Sequence, residues 1–116
     1  MELIIGGYAQ NKVEYAKSLE PEAEIINDLH LVIKDKLAAG LSSESILQEI
    51  SDQIRAAEEG GKKLVIISDE IGCGIVPVDA LEREWREVTG RILCKLAEEA
   101  EKVTRIVMGL PQVIKG

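Results

Sequence analysis

Short, unbroken apolar runs alternate along this chain with longer stretches whose apolar residues recur every three or four positions. The first run, Leu3-Ile4-Ile5, is ended by Gly6-Gly7. A run this short with no polar alternation suits a strand buried on both faces. Val13, Ala16 and Leu19 then fall at helical spacing within residues 11–19. Glu20-Pro21-Glu22 stops that helix, because proline cannot continue it. A strand is predicted over residues 23–26. Asn27-Asp28 offers a capping side chain for a helix over residues 29–37, with Leu29, Val32, Ile33 and Leu37 as its buried stripe and Gly40 closing it. Ser42 or Ser43 caps the next helix, the cleanest amphipathic one in the chain. Its Ile46, Leu47, Ile50, Ile54 and Ala57 share a face, and Gly60-Gly61 ends it.

The second half repeats the alternation. Leu64-Val65-Ile66-Ile67 reads as a buried strand, broken by the polar Ser68-Asp69-Glu70 and followed by a glycine-punctuated loop, Ile71-Gly72-Cys73-Gly74-Ile75-Val76-Pro77. Asp79 with Glu82 three residues on has capping-box spacing. The helix they start carries Leu81, Trp85, Val88, Ile92 and Leu96 as an apolar stripe and is predicted to run to about residue 102. That stripe suits packing on the chain's own sheet or on a second copy. Residues 103–108 read as a strand, Gly109-Leu110-Pro111 as a turn, and residues 112–115 as a final edge strand. Strands alternating with helices imply an α/β fold, with a small, mainly parallel sheet between two helical layers and right-handed crossovers. Residues 1–116 are expected to form one domain.

Composition narrows this picture. The 116 residues include no Phe and are 3% aromatic, so the core must be aliphatic. The formal charge of −7 disfavours a nucleic-acid partner, whose phosphates need a basic surface, but leaves room for a small phosphorylated ligand. No apolar run approaches a membrane span, and the first residues lack a signal-peptide layout, so a cytoplasmic location with Cys73 and Cys94 reduced is expected.

Open α/β sheets place ligands beyond the carboxyl ends of their strands, which directs attention to three loops. Gly6-Gly7-Tyr8-Ala9-Gln10-Asn11-Lys12-Val13 joins the first strand to the first helix, the setting of a phosphate-binding loop. In such a loop, backbone N–H groups wrap the phosphates, a lysine reaches the terminal ones, and a Ser or Thr hydroxyl holds Mg²⁺. Gly6 and Lys12 fit that pattern. Asn11 stands in the second glycine's place and tolerates a left-handed backbone, whereas Val13 has no hydroxyl for Mg²⁺. The other reading is a tight turn with a surface lysine. At the second loop, Asp28, beside Asn27, is either an Mg²⁺ ligand or a helix cap, and His30, the only histidine, a catalytic group or a surface or packing residue. At the third, Asp69 and Glu70 pass a strand end, with Glu70 a second candidate for Mg²⁺. Arg83, Arg86 and Arg91 either reach phosphate oxygens or form surface ion pairs with Glu82 and Glu87.

The run Ser68-Asp69-Glu70-Ile71-Gly72-Cys73-Gly74-Ile75-Val76-Pro77 resembles the signature of the bifunctional adenosylcobinamide kinase / adenosylcobinamide-phosphate guanylyltransferase family. The resemblance continues through Leu81, Arg83, Trp85-Arg86-Glu87, Gly90-Arg91 and Leu96-Ala97 to the ending Val107-Met108-Gly109-Leu110-Pro111-Gln112-Val113-Ile114-Lys115. Gly6-Gly7 with Lys12 resembles the family's P-loop, and residues 26–31 its second acidic strand end, with Asn27 where the family has an acid. The resemblance implies a shortened P-loop NTPase-like fold and a nucleotide site at Gly6–Val13 and Asn27. It also implies GTP or ATP with Mg²⁺, a cobinamide substrate, and a cytoplasmic homo-oligomer, typically a trimer. Members phosphorylate the aminopropanol hydroxyl of adenosylcobinamide, then transfer GMP from GTP through a histidine-linked intermediate. The family's long segment carrying that histidine is missing here between Leu19 and the next strand, and Leu93 and Cys94 replace polar residues. These departures imply lost guanylyl transfer with residual nucleotide binding or kinase activity, or else a non-catalytic nucleotide- or cobamide-binding or structural subunit.

Overall fold

A computed structural model describes residues 1–71 and 79–116. Gly72, Cys73 and Gly74, singled out above, lie outside the described residues. The elements are β1 (Glu2–Gly6), α1 (Lys12–Leu19), β2 (Glu24–Ile26), α2 (Leu29–Ala38), α3 (Ser43–Glu59), β3 (Leu64–Asp69), α4 (Ala80–Glu99), β4 (Lys102–Val107) and β5 (Leu110–Lys115). Among the described residues they build one sheet in the order β2-β3-β1-β4-β5. Its first four strands are parallel, and β5 runs antiparallel to β4. This is the α/β, mainly parallel architecture expected of a shortened P-loop-like fold.

Strand alternation divides the core into two layers. Leu3, Leu64, Ile66 and Val103 face α2, α3 and α4, where Ile33, Ile46, Ile50, Ile92 and Leu96 close over them. Ile4, Val65, Ile67 and Ile106 face the other way, where Ala16 of α1 covers them. Val88 and Ile92 of the α4 stripe are buried in the larger layer of this chain and Trp85 packs against it, while Leu81 stays exposed. The core is aliphatic, as the absence of Phe requires.

Several boundaries differ from the sequence expectation. The helix expected to reach residue 102 ends at Glu99, and Lys102 already belongs to β4. A polar, charged helix end and a strand start look alike in sequence; here Ala100, extended and buried, makes the change. Lys115 donates to the Ala97 and Glu98 carbonyls, satisfying groups that a helix end leaves open. The turn is tighter than expected, so Leu110 and Pro111 already belong to β5. Ser42 caps α3, and the Asp79 carboxylate accepts from the Leu81 and Glu82 N–H groups. Glu82 pairs with Lys34 of α2. Glu20, at the end of α1, holds Lys63 before β3 at 2.8 Å and raises that ammonium's pKa above 10.5, chiefly through the hydrogen bond. A raised lysine pKa means that the charge Lys63 brings to this contact is lost only as pH rises through the folded-state value.

Gly6 is required by packing. A Cβ there would lie 2.7 Å from the Ile106 carbonyl oxygen of β4, with no flexible side chain to move aside. Gly6→Ala is therefore expected to cost about 1–3 kcal/mol in denaturant unfolding, while Gly7→Ala, whose Cβ meets only Gln10 Cγ at 4.0 Å, serves as the mild control. The opposite sign is expected at Thr89, fully buried on α4, whose hydroxyl finds no partner among the described residues. Thr89→Val removes that stranded group and is expected to stabilise by about 1 kcal/mol, read as a rise in Tm.

Candidate functional site

The sheet order creates the crevice. β1 lies between β3 and β4, and α1, which follows β1, and α4, which follows β3, pack on opposite faces of the sheet. Parallel pairing sets Gly6 beside Asp69 in register. The loop after β1 turns through left-handed backbone at Ala9 (φ 58°) and Asn11 (φ 57°). Asn11 thus does what the second glycine of a phosphate loop would do. It stands at the N-cap of α1 and makes no side-chain cap bond, so its side chain satisfies none of the first N–H groups of that helix. Gln10 ties the loop to the β4–β5 turn by accepting from the Gly109 N–H at 2.7 Å.

Lys12 is no surface lysine. Its side chain is 7% exposed, and its Nζ donates to the Gly7 carbonyl at 2.6 Å and to Asp69 Oδ1 at 2.7 Å. Asp69 continues the β3 face that carries Val65 and Ile67, the α1 side, which aims it at Lys12. Glu70 is one residue on and faces the other way, where it pairs with Arg105 at 3.0 Å. Alternation alone separates these two carboxylates.

His30, in the first turn of α2, is buried against the same carboxylate. The Asp69 N–H donates to His30 Nδ1 at 3.1 Å, which assigns the neutral ring's proton to Nε2, 3.4 Å from Asp69 Oδ2. Trp85 Nε1 donates to the His30 carbonyl at 2.7 Å and fixes the start of α2 against α4. Lys34 lies 4.5 Å from the centre of the Trp85 ring. Asp28 is the N-cap residue of α2 with φ 53°, yet its side chain makes no cap bond. The capping role expected of it is absent, because a left-handed residue turns its carboxylate away from the helix N–H groups. That carboxylate instead comes within 4.8 Å of the donor atoms of His30 and Asp69.

These groups line a concavity of about 410 Å³, bounded by Tyr8 to Glu14, Asn27, Asp28, His30, Leu31 and Asp69. The loop residues Tyr8 to Val13, Asn27 and Asp28 singled out by sequence are therefore brought together, with Gly6 and Gly7 as the loop's base. Glu70 and the three arginines are not among its walls. Arg86 and Arg91 line a separate groove of about 800 Å³ between α3 and α4, where Arg91 pairs with Glu87; Arg83 is exposed on α4. The larger groove is the more apolar of the two and holds none of the loop's polar groups, so volume is a poor guide to the chemistry here.

Mg²⁺ takes oxygen donors, and the Asp28 and Asp69 carboxylates fit it. His30 does not fit, since its Nδ1 lone pair receives an N–H and its Nε2 carries the proton. Sequence reasoning left out Asp69 and His30 as partners because four consecutive apolar residues in β3 show no period, so the facing of Asp69 was not readable.

The Lys12–Asp69 pair is expected to couple energetically. A double-mutant cycle of Lys12→Met and Asp69→Asn, read by urea unfolding, should give an interaction of about 1–3 kcal/mol, below that of a fully buried pair because Asp69 keeps 17% exposure. Coupling near zero would show the pair to be incidental.

Residues 3–114 match the family model for cobinamide kinase / cobinamide phosphate guanyltransferase, CobU. The chain is similar to the bifunctional adenosylcobalamin biosynthesis protein CobU of Escherichia coli K12, 36% identical over 72 residues, covering 62% of this chain and 40% of that protein. It resembles the Salmonella typhimurium CobU to a like degree, 37% over 71 residues, covering 61% of this chain and 39% of the relative. The CobP protein of Pseudomonas aeruginosa is 37% identical over 54 residues, 47% of this chain and 31% of that one. The aligned region thus spans well under half the length of each of these curated relatives. With a model match that runs over nearly the whole sequence, the chain belongs to the cobinamide kinase / cobinamide phosphate guanyltransferase family.

Proposed function

We propose that this chain binds a nucleoside triphosphate, ATP or GTP, on the loop from Gly6 to Val13, and that any catalysis it performs is the kinase half of the family's chemistry, with a cobinamide as acceptor. The observation that carries this reading is Lys12, whose ammonium sits at the base of the concavity beside the open N-terminus of α1. Released from Asp69, Lys12 is placed to contact the β- and γ-phosphates, while the first N–H groups of α1 donate to their oxygens. Asp28 and Asp69 are the carboxylates suited to hold Mg²⁺. When bound, Mg²⁺ neutralises charge on the transferred phosphoryl group. Trp85 and Asp69 together fix His30, so the Asp28 side of the pocket is held rigid.

Guanylyl transfer is not part of the proposal. It needs a histidine nitrogen free to take the nucleotide, and both nitrogens of His30 face Asp69. The second reading is a non-catalytic nucleotide-binding subunit of a homo-oligomer. Val13 favours it, because it stands where a metal-holding hydroxyl belongs, and Asp28 and Asp69 would have to replace that ligand.

Trp85 is the only tryptophan and is bonded to the His30 backbone, so its fluorescence should report occupancy. Titration with ATP and GTP in the presence of Mg²⁺, followed by fluorescence and calorimetry, should give a Kd below about 1 mM, and Lys12→Ala should weaken it about 10- to 100-fold. Turnover on adenosylcobinamide then selects the kinase reading over the non-catalytic one. An absence of binding up to millimolar nucleotide overturns both.

A further inference from the structure

The loop from Gly6 to Val13 has two flanks, set by the place of β1 between β3 and β4. On the β3 flank stand charged groups of the concavity, Lys12, Asp28 and Asp69. On the β4 flank stands the turn from β4 to β5, where Gln10 accepts a hydrogen bond from the Gly109 N–H at 2.7 Å. That flank is neutral. Residues 3–11 and 106–114 contain no Asp, Glu, Lys, Arg or His, in a chain that is 30% charged, and the Gln10–Gly109 bond joins these two stretches.

The turn is built against local preference. Val107 pairs with Leu110, so Met108 and Gly109 form a two-residue hairpin loop, and both have positive φ, 52° and 75°. Such a loop favours Asn, Asp or Gly at its first position, because a larger side chain is strained there. Met108 instead carries an unbranched apolar side chain at 87% exposure, next to Leu110 at 70%. Neither backbone conformation nor burial accounts for a methionine at this position. Exposed apolar residues grouped beside a polar site mark a surface that takes a ligand, and a thioether adapts well to the face of a planar ring.

From this placement, and resting on the nucleotide-binding reading above, we infer that the β4–β5 turn is the nucleobase subsite, with Met108 as its contact to the ring face and Leu110 beside it. The two halves of a nucleotide divide between the two flanks by their chemistry. The phosphates are anionic and go to Lys12; the base is uncharged and planar and goes to the neutral, apolar side. Gln10 lines the concavity and also holds the turn, so it fixes the spacing between the two halves.

Calorimetry on the full chain in Mg²⁺ tests this with ATP and with inorganic tripolyphosphate, which has the phosphates and no base. The proteins compared are wild type, Met108→Asn and Met108→Leu. Met108→Asn supplies the residue that the turn backbone favours, so its Tm should hold or rise. ATP should nevertheless bind it about three- to tenfold more weakly than wild type, with tripolyphosphate within about twofold. Met108→Leu keeps an apolar side chain and should hold ATP affinity within about threefold of wild type. A merely structural role would move stability and both ligands together, so opposed signs in one variant identify the base contact. If folded Met108→Asn keeps the wild-type ratio of ATP to tripolyphosphate affinity, the inference fails and the phosphate-loop reading stands. Sedimentation of the same proteins separates a competing occupant: if Met108→Asn lowers the particle mass and leaves that ratio unchanged, the turn is a contact between copies and the inference fails. If wild type binds neither ATP nor tripolyphosphate, this inference and the nucleotide-binding reading fail together.

Discussion

The contact on which the site depends is the ion pair between Lys12 and Asp69. It joins the first turn of α1 to the end of β3, two elements far apart in sequence, and holds both over the carboxyl end of β1. The pair exists because β1 and β3 lie side by side in a register that sets Gly6 opposite Asp69. That register in turn needs Gly6, since β4 passes so close on the other side that a single methyl group would strike the Ile106 carbonyl. The glycine that opens the loop is therefore kept by strand packing as well as by loop shape.

Around this centre the protein is unevenly built. Three helices bury the larger apolar layer, and on the other face α1 stands alone over Ile4, Val65, Ile67 and Ile106. The helix that carries the candidate phosphate-binding end thus covers the smaller apolar layer, with Ala16 buried in it and Val13 and Tyr15 packed against it. Polar ties add to this at both ends, Lys12 to Asp69 and Glu20 to Lys63. The wall formed by α2 is held differently: the His30 backbone receives the Trp85 indole, and its ring receives the Asp69 N–H. One side of the concavity is set by an exchangeable ion pair, the other by neutral hydrogen bonds.

Such an arrangement bears on how the Gly6–Val13 loop keeps its shape without a second glycine. Asn11 replaces a glycine at little conformational cost because it adopts the left-handed backbone the turn requires. Val13 cannot replace a hydroxyl. The two carboxylates that converge in the concavity, Asp28 and Asp69, come from separate strand ends, and the Asp28 side chain makes no cap bond to α2.

The order of strands and helices, the aliphatic core, the loop Gly6–Val13 and the family itself were legible in the sequence, because periodicity, glycine placement and a contiguous signature are local properties. Helix and strand ends were less so: the shift from α4 to β4 within a charged segment leaves no local mark. The partners of Lys12 and His30 were beyond local reading. β3 is apolar at every position from Leu64 to Ile67, so its pattern does not say which face Asp69 joins and which Glu70 joins. Only the packing of β3 between β1 and β2 decides that. It turns Asp69 to the Gly6–Val13 loop and Glu70 to Arg105, while Arg86 and Arg91 of α4 line a different groove. The sequence alone determined which chemical groups the chain possesses and the fold family that arranges them. The tertiary structure decided which of them meet, because contact between residues so distant along the chain follows from strand register and facing, and neither is written in any single segment.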